Sequence, residues 1–198
     1  GGFLYSALNY IRENEALNLN DEIGKYIFGF DINKDIVKIS KMKFLLEANI
    51  NNNIEVQNSL DDADSLKLLI SEKNPDCKCG IDNILTNPPF GASGKITNTS
   101  ILAQYKLGHK WIEKGNQYIV TNTLQSGQSS EILFVEQCLN LLKENGKMAI
   151  VLPNGHFENP SLNYLRQFIK TNAKILGIVT LPQETFIPYG TGIKTSLL

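Results

Sequence analysis

Short apolar runs that stop at a polar residue or a proline alternate along this chain with stripes of helical spacing. Tyr26 to Phe30 stops at Asp31, Ile81 to Thr86 at Asn87, Met148 to Leu152 at Pro153, and Ile175 to Leu181 at Pro182. Ile54-Glu55-Val56 is a brief run of the same kind, and Ile193 to Leu198 begins another. Between them, Phe3, Leu4, Ala7, Leu8 and Ile11 share one helical face, as do Ile36, Ile39, Met42 and Leu46. Asp61 to Ser71 carries Leu66, Leu69 and Ile70. Ile132, Val135, Leu139 and Leu142 mark a helix that Asn145-Gly146 closes with a C-cap signal, and Leu162, Leu165 and Ile169 mark a further one. Strands that alternate with helices predict an α/β fold, a mostly parallel sheet with helices on both faces. Ligands of such sheets bind beyond the carboxyl ends of the strands. Asp31, Asn58 and Asn87 are therefore expected on one rim.

The chain is long enough for one core and too short for two comfortable ones, so residues 1–198 read as a single domain. Residues 91–128 are polar, with Gly, Ser, Thr and Asn throughout. They read as a long excursion with a little structure around Ile101 to Ile112. A net charge of −1 removes any bulk electrostatic argument for nucleic acid. No apolar stretch reaches membrane-spanning length, and Gly1-Gly2-Phe3-Leu4 lacks the basic start of a signal peptide. The cytoplasm is the expected compartment. Cys77 and Cys79 form a C-x-C without a second pair, so free thiols are expected rather than a zinc site.

Asn87-Pro88-Pro89-Phe90 follows an apolar strand directly. Two prolines fix φ twice and remove two N–H donors. The carbonyls of Asn87 and Pro88 then stay available beside the Asn87 amide oxygen, and an aromatic ring follows at once. Such a set suits an amino group on a flat ring. The alternative for this tetrapeptide is an ordinary proline-rich turn.

With Gly1-Gly2-Phe3-Leu4, the Asn-Pro-Pro-Phe turn, the run Glu131 to Pro153 and the tail Phe186 to Ser196, the chain resembles the catalytic domain of N6-adenine DNA methyltransferases. The likeness is greatest to the modification (M) subunit of type I restriction–modification systems. The resemblance implies a Rossmann-like methyltransferase fold and S-adenosyl-L-methionine as methyl donor. It implies double-stranded DNA with a flipped adenine as substrate, and specificity (S) and restriction (R) subunits as partners. Asn87, Pro88, Pro89 and Phe90 are then the catalytic residues. The Asn87 side-chain oxygen and the Pro88 carbonyl accept from the adenine amine, while Phe90 and Phe186 meet the base. The alternative for Phe186 is a core or lid residue.

The cofactor would fall to Gly1, Gly2, Phe3, Asp31, Ile32, Asn58, Ser59 and Leu60. Asp31 is placed either for the ribose hydroxyls or as N-cap of the next helix. Ile32 suits either the adenine face or the core. Asn58 stands where the family usually has an acid, and its amide oxygen can still accept from an amine. Lys194 resembles a family position, although a lone lysine is ordinarily solvated. His109 and His156 lack partners in the sequence and read as loop or surface histidines.

The family's cofactor motif normally begins before Gly1, with a strand and the first half of a glycine turn. The expectation is thus a truncated catalytic domain lacking its first strand, with weak or no cofactor binding by itself. Two other functions remain open. One is a protein-glutamine or RNA-base methyltransferase of the same fold; the other is a non-catalytic fragment serving as an assembly module.

Overall fold

A computed structural model describes residues 1–14, 23–48, 53–90, 94–190 and 192–198. Two compact units emerge, Gly1–Ile81 and Asp82–Leu198. Among the described residues, no helix is long and apolar enough to cross a membrane.

In the first unit, helix α1 (Gly2–Asn14) buries Leu8, with Leu4, Tyr5 and Ile11 packed on the same core. The expected strand from Tyr26 is shorter than its apolar run. Ile23–Tyr26 instead form a 3₁₀ turn, and β1 is Gly29–Asp31. The cause lies in side-chain amides. Asn53 Nδ2 donates to the carbonyls of Gly24 (2.9 Å) and Lys25 (3.1 Å), and Asn74 Nδ2 donates to Lys25 as well. Those carbonyls are bound to side chains rather than to a neighbouring strand. A Cβ on Gly29 would stand 2.5 Å from Leu4 Cδ1, so glycine lets α1 lie close against β1.

Strand β1 pairs in parallel with β2 (Ile54–Val56), with Asp31 opposite Val56. Helix α3 (Ala63–Lys73) starts at Asp62, whose carboxylate accepts from the Ser65 N–H at 2.9 Å, and buries Leu66 and Ile70. Helix α2 (Lys34–Ala48) forms as expected but presents a different face. Val37, Ser40 and Phe44 are buried, whereas Ile36, Ile39, Met42 and Leu46 are exposed. Both sets have helical spacing, so periodicity alone leaves the choice between adjacent faces undetermined.

The second unit is built on a four-stranded sheet in the order β3 (Ile81–Thr86), β8 (Leu142–Pro153), β10 (Thr195–Leu197), β9 (Val179–Thr180). Strand β10 runs antiparallel to both its neighbours, with Thr195 opposite Pro153 and Ser196 opposite Thr180. The parallel geometry expected for most of the sheet thus holds at β1–β2 and gives way at β10. Strand β9 is also much shorter than the apolar run Ile175 to Leu181, and Leu176 and Ile178 stand exposed. Helix α5 (Ser130–Leu141) ends earlier than expected, because Leu142 is already extended. Asn145 has φ +63°, the left-handed conformation expected of it, but within the run of β8 rather than at a helix cap.

The polar excursion holds more order than its composition suggests. Strand β4 (Lys95–Ile96) pairs with β7 (Gln128–Ser129), with the short helix α4 (Thr99–Leu102) and a hairpin between them in sequence. The hairpin joins β5 (His109–Lys114) to β6 (Gln117–Leu124) through Gly115-Asn116, with Gly115 at φ +63°. Trp111 stacks on Tyr164 of helix α7 (Asn163–Asn172) at 5.9 Å. The Gln167 amide bonds both the N–H and the carbonyl of Tyr118.

Glu136 of α5 secures the segment before the hairpin. Its two carboxyl oxygens accept from the N–H groups of Lys106 (2.9 Å) and Leu107 (2.8 Å). Burial pushes this carboxyl above the usual range, against the pull of those two donors. Replacing Glu136 by Ala leaves the buried Leu107 N–H without its acceptor. We expect a loss of roughly 1–3 kcal/mol in urea unfolding, and an unchanged midpoint would remove the carboxylate from the stabilising contacts.

Candidate active site

Strand β3 delivers the Asn-Pro-Pro-Phe turn. Asn87 is exposed and Pro88 is buried, so the turn is anchored by a ring and offers its amide outward. Phe90 is half-buried and meets Phe186 edge-to-face, with ring centroids 5.9 Å apart at 85°. Phe186 lies in the 3₁₀ segment Gln183–Tyr189, which Gly190 ends at φ +85°. The structure therefore brings together two aromatics that stand far apart in sequence.

A third element reaches the turn. Ser130, the first residue of α5 and almost fully buried, donates its hydroxyl to the Pro89 carbonyl at 2.9 Å. Sequence reasoning missed this serine, because a serine at a helix start reads as a cap.

It also missed the next residue. Glu131 and His156 are both buried, with Oε1 and Nε2 3.7 Å apart. His156 is thus not the surface histidine expected from sequence. It sits in α6 (Gly155–Glu158), with Nδ1 3.1 Å from the Pro153 carbonyl. A carbonyl only accepts, so Nδ1 carries the proton and neutral Nε2 is left as an acceptor facing Glu131. Burial raises the Glu131 carboxyl above its ordinary range and lowers His156 below its own. Both shifts favour the neutral forms.

The signs give a two-sided pH dependence. His156, with its folded pKa depressed, contributes stability above pH ~6.5 that is lost as pH falls through the folded value. Glu131, with its folded pKa raised, contributes stability below pH ~4.5 that is lost as pH rises through its folded value. Urea midpoints of His156→Gln should therefore lose less than wild type as pH falls below ~6.5, and those of Glu131→Gln less as pH rises above ~4.5. Parallel pH profiles for all three proteins would show that folding shifts neither group's pKa.

The residues expected to hold a cofactor lie in the first unit. Asp31 ends β1 and Asn58 follows β2, and the Gln57 N–H donates to the Asp31 carbonyl at 3.1 Å, so these strand ends adjoin. Asp31 does not cap α2. Its Oδ1 accepts from the Asn33 N–H at 2.8 Å, and it is Asn33 whose side chain accepts from Asp35 and Ile36. Ile32 is exposed, not core. Asn58 Oδ1 accepts from the Leu60 N–H at 3.1 Å, using one of its two lone pairs. Ser59 is half-buried between them, and the Leu60 side chain is buried.

Gly1 and Gly2 line a hollow of about 210 Å³ with Ile36, Ile39, Ser40, Lys43 and Phe44. A Cβ on Gly1 would stand 2.7 Å from Ser40 Oγ. Phe3 is exposed beside them in sequence. A carboxylate, an amide and an exposed apolar side chain at adjoining strand ends fit a nucleoside with a ribose diol. In the second unit, Lys194 is exposed and gives its carbonyl to the Asn154 N–H. His109 is half-buried, with Nδ1 2.8 Å from the Tyr105 carbonyl.

A family model for N-6 DNA Methylase matches residues 1–198. The chain belongs to that family. The chain is 25% identical to the type I restriction enzyme EcoEI methylase subunit of Escherichia coli, over 100% of its own length and 35% of that protein's. It is 29% identical to the ribosomal RNA large subunit methyltransferase K/L of Buchnera aphidicola subsp. Schizaphis graminum, over 83% of the chain and 22% of that protein. The crystal structure of the type I restriction enzyme EcoKI M protein superposes with a TM-score of 0.58 at 19% identity, covering 97% of this chain and 34% of that one. That superposition gives this N-6 DNA methylase family chain the α/β fold of that M protein. The chain spans about a third or less of the length of each of these proteins.

Proposed function

We propose that this chain carries the catalytic machinery of a DNA methyltransferase that places a methyl group on adenine N6. In this reading residues 1–198 form one Rossmann-like catalytic domain of a cytoplasmic type I modification subunit. Specificity and restriction subunits are its partners, and double-stranded DNA with one adenine flipped out is its substrate. The observation that carries the reading is the Asn87–Phe90 turn at the end of β3, its amide exposed and its ring set against Phe186.

An exocyclic amine is a poor nucleophile because its lone pair is delocalised into the ring. The Asn87 oxygen and the Pro88 carbonyl accept its two hydrogens and draw the nitrogen toward tetrahedral geometry. The lone pair then localises, and the turn supplies this without a titrating base. Phe90 stacks on the flipped base and Phe186 borders it. S-adenosyl-L-methionine, when bound, supplies a methyl carbon on a positively charged sulfur. Asp31 holds the ribose hydroxyls, Ile32 lies on the adenine, and Asn58 with the Ser59-Leu60 backbone meets the adenine edge. Gly1, Gly2 and Phe3 border the methionine end.

The experiment is transfer of a tritiated methyl group by the full-length protein with its partner subunits. Unmethylated DNA, ribosomal RNA and protein are offered in parallel. Label recovered as N6-methyladenine from DNA supports the reading. Label recovered only from RNA or from glutamine side chains would replace it with the other substrate class.

A further inference from the structure

We infer that Ser130 and Gly94 together set the direction of Phe90, and that Ser130 is a positioning residue for methyl transfer. The inference rests on the adenine-methyltransferase reading and adds two residues to it. The two proline rings fix φ at Pro88 and Pro89. What remains free before Phe90 is the plane of the Pro89–Phe90 peptide, since one rigid unit contains the Pro89 carbonyl and the Phe90 nitrogen. The Ser130 hydroxyl holds that carbonyl at 2.9 Å from an almost fully buried position on α5. Fixing the plane fixes where Phe90 departs, and hence its edge-to-face approach to Phe186.

Gly94 closes the other side of the same bond. A Cβ there would stand 2.7 Å from Ser130 Oγ and 2.8 Å from the Pro89 oxygen. The donor, the acceptor and the glycine therefore form one tight contact, and no other residue type fits at 94 without displacing the bond. Ser130 reaches Pro89 and not Asn87, so it acts on the base through Phe90. It leaves the amine-accepting oxygens to Asn87 and Pro88.

The test compares wild type, Ser130→Ala, Gly94→Ala, the double variant and Ser130→Thr in the full-length enzyme with its partner subunits. The two single variants should each lower kcat about 10²-fold, as a small misplacement at a reacting centre does. KM for S-adenosylmethionine should stay unchanged, and Ser130→Thr, which keeps the hydroxyl, should recover most of the loss. Because both variants strike one bond, the double variant should be no slower than the worse single one. Gly94→Ala disturbs the bond while leaving every residue of α5 unchanged, which guards against a folding effect of Ser130→Ala.

A second readout is independent of turnover. Pro-Phe occurs once in these residues, so ¹³C-carbonyl proline with ¹⁵N-phenylalanine labels report the Pro89 carbonyl. Its resonance should move upfield in Ser130→Ala. An unmoved resonance, an unchanged kcat or additive losses would each overturn the inference. A wild-type enzyme that methylates no adenine overturns the proposed function instead, and the carbonyl resonance still decides whether Ser130 holds Pro89.

Discussion

Replacing Asn87 by Ala should lower kcat for methyl transfer by ~10²–10³-fold, the loss typical when one preorganised polar group at a reacting centre is removed. The substitution deletes one of two proposed acceptors for the amine hydrogens, and the Pro88 carbonyl remains. Asn87 is exposed and Pro88, which anchors the turn, is untouched. Thermal unfolding should therefore stay within about 0.5 kcal/mol of wild type. Binding of S-adenosylmethionine by the full-length protein, followed by calorimetry, should also be unaffected, since Asn87 is not among the residues proposed to hold it. Asn87→Asp is the sharper control, because it keeps an accepting oxygen and adds a charge. Transfer at the wild-type rate by Asn87→Ala would contradict the acceptor mechanism outright.

Phe44→Ala should cost about 3–5 kcal/mol, the range for removing a buried aromatic side chain. Phe44 is 1% exposed and belongs to the core cluster with Leu8, Val37 and Ile54. Leu46→Ala, two residues on in the same helix, should change stability by less than about 0.5 kcal/mol, because Leu46 is 82% exposed. Urea unfolding followed by far-UV circular dichroism reads both. The single tryptophan, Trp111, lies in the second unit and would not report on the first. A larger loss for Leu46→Ala than for Phe44→Ala would mean that α2 is turned by about one residue, with the Ile36–Leu46 stripe inward.

This pair of substitutions marks where sequence reading reached its limit. Helix α2 has apolar residues on two adjacent faces, and both satisfy the 3.6-residue period. The hairpin was hidden in a different way. Its Gly115-Asn116 turn is a recognisable signal, but the polar residues around it masked the strand alternation. Packing of the half-buried Trp111 against Tyr164 and Phe168, more than local propensity, holds those strands to the unit. The strand expected over Ile175 to Leu181 shrank because an apolar run does not say how many of its residues find a ladder partner.

Much of the candidate site could be read locally. Prolines act on their own backbone, so the rigidity of Asn87 to Phe90 follows from the residues themselves. The carboxyl-end placement of Asp31 and Asn58 follows from where their strands stop. Contacts between distant segments could not be read in this way. Neither Ser130 nor His156 carries a mark that distinguishes it from a helix cap or a surface histidine. Each acquires its role from what folding brings within reach: Pro89 at 2.9 Å for the serine, Glu131 at 3.7 Å for the histidine.

The sequence by itself determined the alternation of helices and strands, the rigid acceptor turn after β3 and the family to which the chain belongs. These depend on torsions and periods that a few neighbouring residues set. Only the tertiary structure decided which face of α2 is buried, that Phe186 meets Phe90, and that a serine from α5 holds the turn. Each of those depends on packing between segments remote in the chain, where one backbone carbonyl or one ring has a single partner that fits.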